Sequence, residues 1–155
     1  MTEVHSKTEN IHLELVSFWV GKQEFCVDIM SIREIRGWTA ETPLPHAPDY
    51  VRGVINLRGV VLPIINLASR LGLASGAPTE RHVIVVVQTG SQMVGLLVDA
   101  VSNIFEVDKS IIQPTPDVAA NTVKNFVCGL LAIEDRMINL IEVDEIMPTE
   151  MQAAA

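Results

Sequence analysis

Residues 13–27 read Leu-Glu-Leu-Val-Ser-Phe-Trp-Val-Gly-Lys-Gln-Glu-Phe-Cys-Val. Two β-rich runs, Leu13–Val20 and Glu24–Val27, flank Gly21-Lys22-Gln23, where a glycine is available for the positive φ that a tight hairpin needs. The same grammar of short β-rich runs and turn residues continues along the chain and points to small barrels or sandwiches. Ser31–Arg36 reads as a further strand, with Ile32, Glu34 and Arg36 on one face and Ser31, Arg33 and Ile35 on the other. After a loop bearing Pro43, Pro45 and Pro48, Val54–Leu57 and Val60–Ile65 form a second hairpin around Arg58-Gly59. Ala68–Leu73 is one helical turn or two, and Ala74-Ser75-Gly76-Ala77-Pro78 is the best internal boundary.

The second half repeats the first in outline. His82–Gln88 and Met93–Val98 flank Gly90-Ser91-Gln92 as an opening hairpin. The run from Val98 to Val107 matches Val27 to Ile35 with one residue inserted, which pairs Asp28 with Asp99 and Glu34 with Glu106. A connection through Pro114 and Pro116 leads to Gly129–Ile133, the Glu134-Asp135 turn and Met137–Ile141, the counterpart of the Arg58-Gly59 hairpin. Asn66-Leu67 and Glu142-Val143 each step into a short helix. The expected fold is mainly β: two small five-stranded barrels packed together, with short helices. The first barrel is expected over roughly 12–73 and the second over roughly 80–148, between a disordered lead-in (1–11) and a flexible tail (149–155). The facing sides of two such barrels make a natural groove for a helix.

Composition narrows the function. Of 155 residues 48% are apolar and 19% charged, against roughly 25% charged in an average soluble domain, so some apolar surface is expected to await a partner. The net charge of −8 and the scattered Lys and Arg residues argue against a general nucleic-acid binder. Polar interruptions keep every apolar run short of the roughly 20 residues of a membrane span, and Met1–Asn10 carries no signal-peptide core. A cytoplasmic protein with two buried, reduced thiols, Cys26 and Cys128, is expected. His5, His12, His46 and His82 show no metal-ligand spacing, and no phosphate loop or nucleophile elbow is present. Neither catalysis nor a metal nor a cofactor is expected.

Two ordered motifs carry a family resemblance. Phe25 to Gly37, with Val27-Asp28-Ile29 and then Glu34-Ile35-Arg36-Gly37, resembles the first signature of the CheW-type chemotaxis coupling proteins. Gly53-Val54-Ile55-Asn56-Leu57-Arg58-Gly59 followed by Leu62-Pro63-Ile64 resembles the second, and Val94 to Asp99 also matches in spacing. The similarity covers roughly residues 12–148. It implies paired five-stranded SH3-like barrels and a non-catalytic scaffold that couples chemoreceptor cytoplasmic tips to the regulatory domain of the CheA histidine kinase. It further implies a cytoplasmic protein recruited to membrane-associated receptor arrays, with no cofactor, nucleic acid, small-molecule substrate or membrane insertion. The same fold in a non-flagellar chemosensory pathway is the alternative, followed by a small ligand-binding protein or enzyme on paired barrels.

The resemblance also assigns residues. Ile32, Glu34, Gly53, Arg58 and Gly59 fall at positions tied to receptor binding, and Val118 at a kinase-ring contact where some relatives carry a bulky aromatic. Asn66 stands where many relatives have Asp. For Ile32 a place in the core competes with a contact role, and for the two glycines turn geometry suffices. A charge at Arg58 in an apolar β-context needs a partner, for which Glu34 is the candidate. A structural ion pair and a direct partner contact are both open there.

Overall fold

The computed structural model describes residues 11–74, 76–115 and 125–147. Among the described residues ten strands alternate with short helical turns. The first half holds β1 (His12–Val20), β2 (Gln23–Asp28), a 3-10 turn (Ile29–Ser31), β3 (Ile32–Gly37), β4 (Val51–Leu57), β5 (Val60–Asn66) and α1 (Leu67–Arg70). The second holds β6 (Val83–Thr89), β7 (Gln92–Val98), β8 (Ala100–Asp108), a 3-10 turn (Lys109–Ile111), β9 (Val127–Ile133), β10 (Arg136–Ile141) and α2 (Val143–Ile146). Each expected hairpin is present, and α1 and α2 follow Asn66 and Glu142 as read. The expected lead-in and tail, and Val118, lie largely or wholly outside the described residues.

The strands form two five-stranded sheets, ordered β8-β1-β2-β10-β9 and β3-β6-β7-β5-β4. This corrects the expected division into a barrel of residues 12–73 and another of 80–148. The hairpin β1–β2 sits in the sheet of the C-terminal strands, and β6–β7 sits in the sheet of β3, β4 and β5. Each opening hairpin hands its next strand to the opposite sheet: β3 pairs with β6, and β8 pairs with β1. The cause is local. Asp28 accepts a hydrogen bond from the Met30 amide at 2.9 Å, closing the turn that carries the chain from β2 across into β3. Within each sheet one pairing is parallel, β2 with β10 and β7 with β5.

Register reveals how the two halves correspond. Val20↔Gln23 closes one opening hairpin and Thr89↔Gln92 the other, which makes Phe25 the counterpart of Val94 and Asp28 the counterpart of Leu97. The sequence match had paired Asp28 with Asp99, two residues further along. Glu34 corresponds to Asn103, because Ile35↔Val85 and Ile104↔Val16 are equivalent pairs. The acidic residues therefore do not recur. Asp28 caps a turn, whereas Asp99 accepts from the Gly21 amide at 2.8 Å and faces His82 at 3.3 Å. Runs rich in Val and Ile align almost as well when slid by two residues, since a two-residue slip preserves every face.

Three apolar clusters hold the fold. Ile55, Leu57, Leu62, Ile64, Ile84, Val86 and Leu97 fill one barrel, with Trp38 and Met93 packed against them. Leu15, Cys26, Val107, Leu131 and Ile138 fill the other. The largest cluster lies between them: Phe18, Val20, Phe25 and Val27 meet Val85, Val87, Val94, Leu96 and Val98. Both opening hairpins are therefore buried on both faces, which is why they read as near-continuous apolar runs. Each such side chain contributes about 1.5–3 kcal/mol by burial. A barrel of this size is marginal alone, and the exchange of β3 and β8 makes the pair one cooperative unit.

One core position breaks the apolar rule. Glu24 is 2% exposed, lies on the face of β2 that carries Cys26 into the barrel, and faces Arg136, Nε to Oε1 3.6 Å. Neither carboxylate oxygen has a hydrogen-bond partner, and its counterpart in the other barrel is Met93. A buried pair of this quality does not repay its desolvation. Glu24→Met is expected to raise unfolding stability by about 1–4 kcal/mol, read as a higher midpoint in thermal melts; a lower midpoint contradicts this reading.

Both cysteines are free. Burial first, then Cys128 and Glu24, push the Cys26 thiol up to about 12. Cys26 pairs with Leu140 and Leu140 with Gly129 beside Cys128. Two strand spacings separate the pair, about 9–10 Å, beyond the roughly 7 Å that a disulfide spans. A thiol-reactive chromophore at pH 8 is expected to label the exposed Cys128 in the native protein and Cys26 only after denaturation; rapid labelling of both would contradict this packing.

Candidate functional site

The site is built on the β4–β5 turn. Arg58 and Gly59 both take positive φ, 50° and 86°, the two-residue geometry whose twist matches the flanking strands. Asn56 Oδ1 locks the turn by accepting from the Gly59 amide at 2.7 Å. Arg58 is thus lifted from the sheet, its side chain 72% exposed, and its guanidinium donates to Glu34 Oε1 at 2.6 Å. The second carboxylate oxygen of Glu34 faces Arg36 at 3.7 Å. β3 lies at one edge of its sheet and the β4–β5 hairpin at the other, so this pair joins the two edges and helps close the barrel. The ion pair read from sequence is present.

The electrostatics follow from that geometry. The hydrogen bond from Arg58 holds the Glu34 carboxyl below its ordinary value, the charges of Arg58 and Arg36 add to it, and partial desolvation opposes it. The same hydrogen bond raises Arg58. A depressed carboxyl stabilises the fold above its unfolded pKa, about 4.3 for Glu, and loses that contribution as pH falls through the folded value.

The other assigned residues do different jobs. Arg33, Ile35 and Gly37 are exposed between the less exposed Ile32, Glu34 and Arg36, but a bulge between Ile32 and Glu34 splits the expected face. Ile32 lies opposite Val87, on the side between the barrels, and Glu34 and Arg36 lie opposite Val86 and Ile84, on the other side. Ile32 is half-buried and packs against the cluster between the barrels. Gly53 does not touch the Arg58 turn; it lies where Thr42 bridges to Val54, and a Cβ there would overlap the Thr42 carbonyl. Its counterpart Gly129 sits against Ile112 beside the equivalent Gln113–Leu130 bridge. Close approach of a crossing chain explains glycine at both positions. The structure therefore brings Glu34, Arg58 and Gly59 together, with Ile32 one step along the strand and Gly53 apart.

Sequence reasoning passed over several exposed apolar side chains. Val60 and Val61 follow the Arg58 turn, and Val61 is 69% exposed; Met137 is its counterpart on the β9–β10 hairpin, and Met30 is 80% exposed beside β3. Along β5 Leu62 and Ile64 are buried inside the barrel, which turns Val61, one residue before Leu62, outward. Next to the turn holding Met30, Leu13, Leu15, Asp28, Ser31, Cys128 and Leu140 through Val143 line a cavity of about 190 Å³ on the barrel of β1, β2, β9 and β10. Among the described residues no cluster of His, Cys, Asp or Glu is placed to hold a metal, and no helix is long and apolar enough to cross a membrane.

Removing the guanidinium tests the pairing. Arg58→Ala is expected to move the Glu34 titration, followed by NMR of its carboxyl carbon, up toward the ordinary carboxylate value, with Arg36 retaining part of the effect. The stability difference between the two proteins should shrink on acidification, as Glu34 protonates in both. An unchanged Glu34 titration rules out the pair in solution.

Three comparisons bear on what this arrangement belongs to. The family model for the CheW-like domain matches residues 14–151. A chemotaxis protein CheW from Rhizobium meliloti is 56% identical over 155 residues, covering all of both chains. A chemotaxis protein CheW from Klebsiella aerogenes is 32% identical over 94% of this chain and 87% of its own. Among solved structures, the scaffolding protein TtCheW from Thermoanaerobacter tengcongensis superposes with a TM-score of 0.78 at 30% identity, over 85% of this chain and 90% of that one. With the paired sheets and both signature motifs in place, the chain belongs to the CheW-like family.

Proposed function

We propose that this chain is a non-catalytic adaptor of a chemotaxis pathway, holding a chemoreceptor cytoplasmic tip and the regulatory domain of a CheA-type histidine kinase at once. The observation that carries this reading is the end-to-end match to a chemotaxis protein CheW, joined to a fold-matched scaffolding protein. The geometry supports it physically. Interlocked sheets make one stiff body, and its exposed apolar side chains lie at separate places: Met30 beside the cavity, Val60 and Val61 at one hairpin, Met137 at the other. An amphipathic helix from a receptor fits a groove between barrels, whereas barrel ends suit broader contacts.

On this reading Ile32, Glu34 and Arg58 are the receptor-binding residues, with Gly59 setting the Arg58 turn and Gly53 holding the loop behind it. Val118 would act at the kinase side. The bound protein is recruited to receptor arrays through these contacts. Coupling arises because both partners grip a body that deforms little, so a bias at one contact is felt at the other.

In receptor–kinase mixtures, Arg58→Glu is expected to weaken kinase activation by about fivefold or more while the protein stays folded. Ile32→Asp is expected to lower receptor-tip affinity by placing an unpaired charge at the groove. Wild-type activation by folded Arg58→Glu removes that residue from the site. Global unfolding of Ile32→Asp by circular dichroism returns Ile32 to the core.

A further inference from the structure

One charged side chain joins matching parts of the two halves. Asn66 and Glu142, the residues that lead into α1 and α2, donate their amides to the carbonyls of Tyr50 and Phe126, at 2.7 and 2.9 Å. Tyr50 and Phe126 are thus equivalent, one from each half. The guanidinium of Arg70 lies over both rings, 4.1 Å from the Tyr50 centroid and 4.8 Å from that of Phe126. It also donates to the last carbonyls of α2, Nε to Ile146 at 3.2 Å and a terminal nitrogen to Glu145 at 3.4 Å. Arg70 ends α1, and the residue at the same place in α2 is Ile146, fully buried between the barrels.

The position is therefore apolar in one half and cationic in the other. The cation reaches across the pseudo-twofold to join matching parts of both. Apolar burial between the barrels is non-directional and tolerates small rotations of one sheet on the other. The contacts of Arg70 are directional. A planar guanidinium faces two rings and meets carbonyls at the negative end of a helical turn, and a lysine reproduces this geometry poorly. The Thr89 hydroxyl, bonded to the Asp144 carboxylate, adds a second tie from β6 to α2 without any ring contact.

We propose that Arg70 is a positioning residue that fixes the angle between the two barrels, and thereby sets how strongly partners held on different barrels influence each other. The functional half of the proposal rests on the adaptor reading; the structural half does not.

Two measurements on the full chain test it. Residual dipolar couplings of backbone amides from both sheets should fit a single alignment tensor in the native protein. In Arg70→Met they should require two, with Arg70→Lys in between. In reconstituted receptor–kinase mixtures at saturating adaptor, Arg70→Met should lose about fivefold or more of kinase stimulation, with receptor-tip and kinase affinities each within about twofold. A residue that merely stabilises would lower the melting midpoint and leave the single tensor and the stimulation intact, which overturns the proposal. Stimulation lost only in proportion to binding overturns its functional half. If Arg70→Met does not fold, Arg70→Lys carries both measurements under the same criteria. A native protein that never stimulates the kinase refutes the adaptor reading and leaves the tensor comparison standing.

Discussion

Two hairpins buried on both faces are the constraint from which the rest of this molecule follows. β1–β2 and β6–β7 each place one face inside a barrel and the other against the opposite hairpin. Neither barrel is sealed without the other. Handing β3 and β8 across the divide converts that dependence into chain connectivity, so separating the barrels means breaking sheet hydrogen bonds as well as apolar contacts. Stiffness in an adaptor has a physical origin here: a large shared core made directional by exchanged strands and by the ties of Arg70 and Thr89 to α2.

That architecture frees the periphery. Turn tips carry no core duty, so Arg58 sits in a left-handed conformation with its side chain in solvent, and Val61 and Met137 stay exposed on equivalent hairpins. The Glu34–Arg58 pair is at once a clasp between sheet edges and a charged mark on the surface. A structural ion pair and a partner contact, both left open by the sequence, do not exclude one another. A pair that closes the barrel also leaves its guanidinium largely in solvent.

The elements were legible because their signals are local. Gly21, Gly59 and Gly90 announce turns, period-two alternation identifies β3, and Asn66 caps α1. The Arg58–Glu34 pair followed from the cost of an unpaired charge. What failed was non-local. Sheet membership depends on where β3 and β8 travel, and no residue in Phe25 to Gly37 encodes that the chain crosses over. Repeat alignment slips by two residues at Asp28 and by three at Glu34, because strands of Val and Ile carry little that fixes their register. Buried Glu24 broke the expectation that charges stay outside, and Arg70 looked like any surface residue at the end of a short helix. Gly53, grouped with the Arg58 turn by resemblance, proved to serve the loop crossing at Thr42.

An adaptor must be one body held at two places at once. Sedimentation velocity on the native chain mixed with a soluble receptor tip and a kinase regulatory domain measures this directly. A single species containing all three, more abundant than either binary complex at equal concentrations, is the expected result. Two binary complexes that exclude one another would mean the partners share a surface, and the molecule would not bridge them.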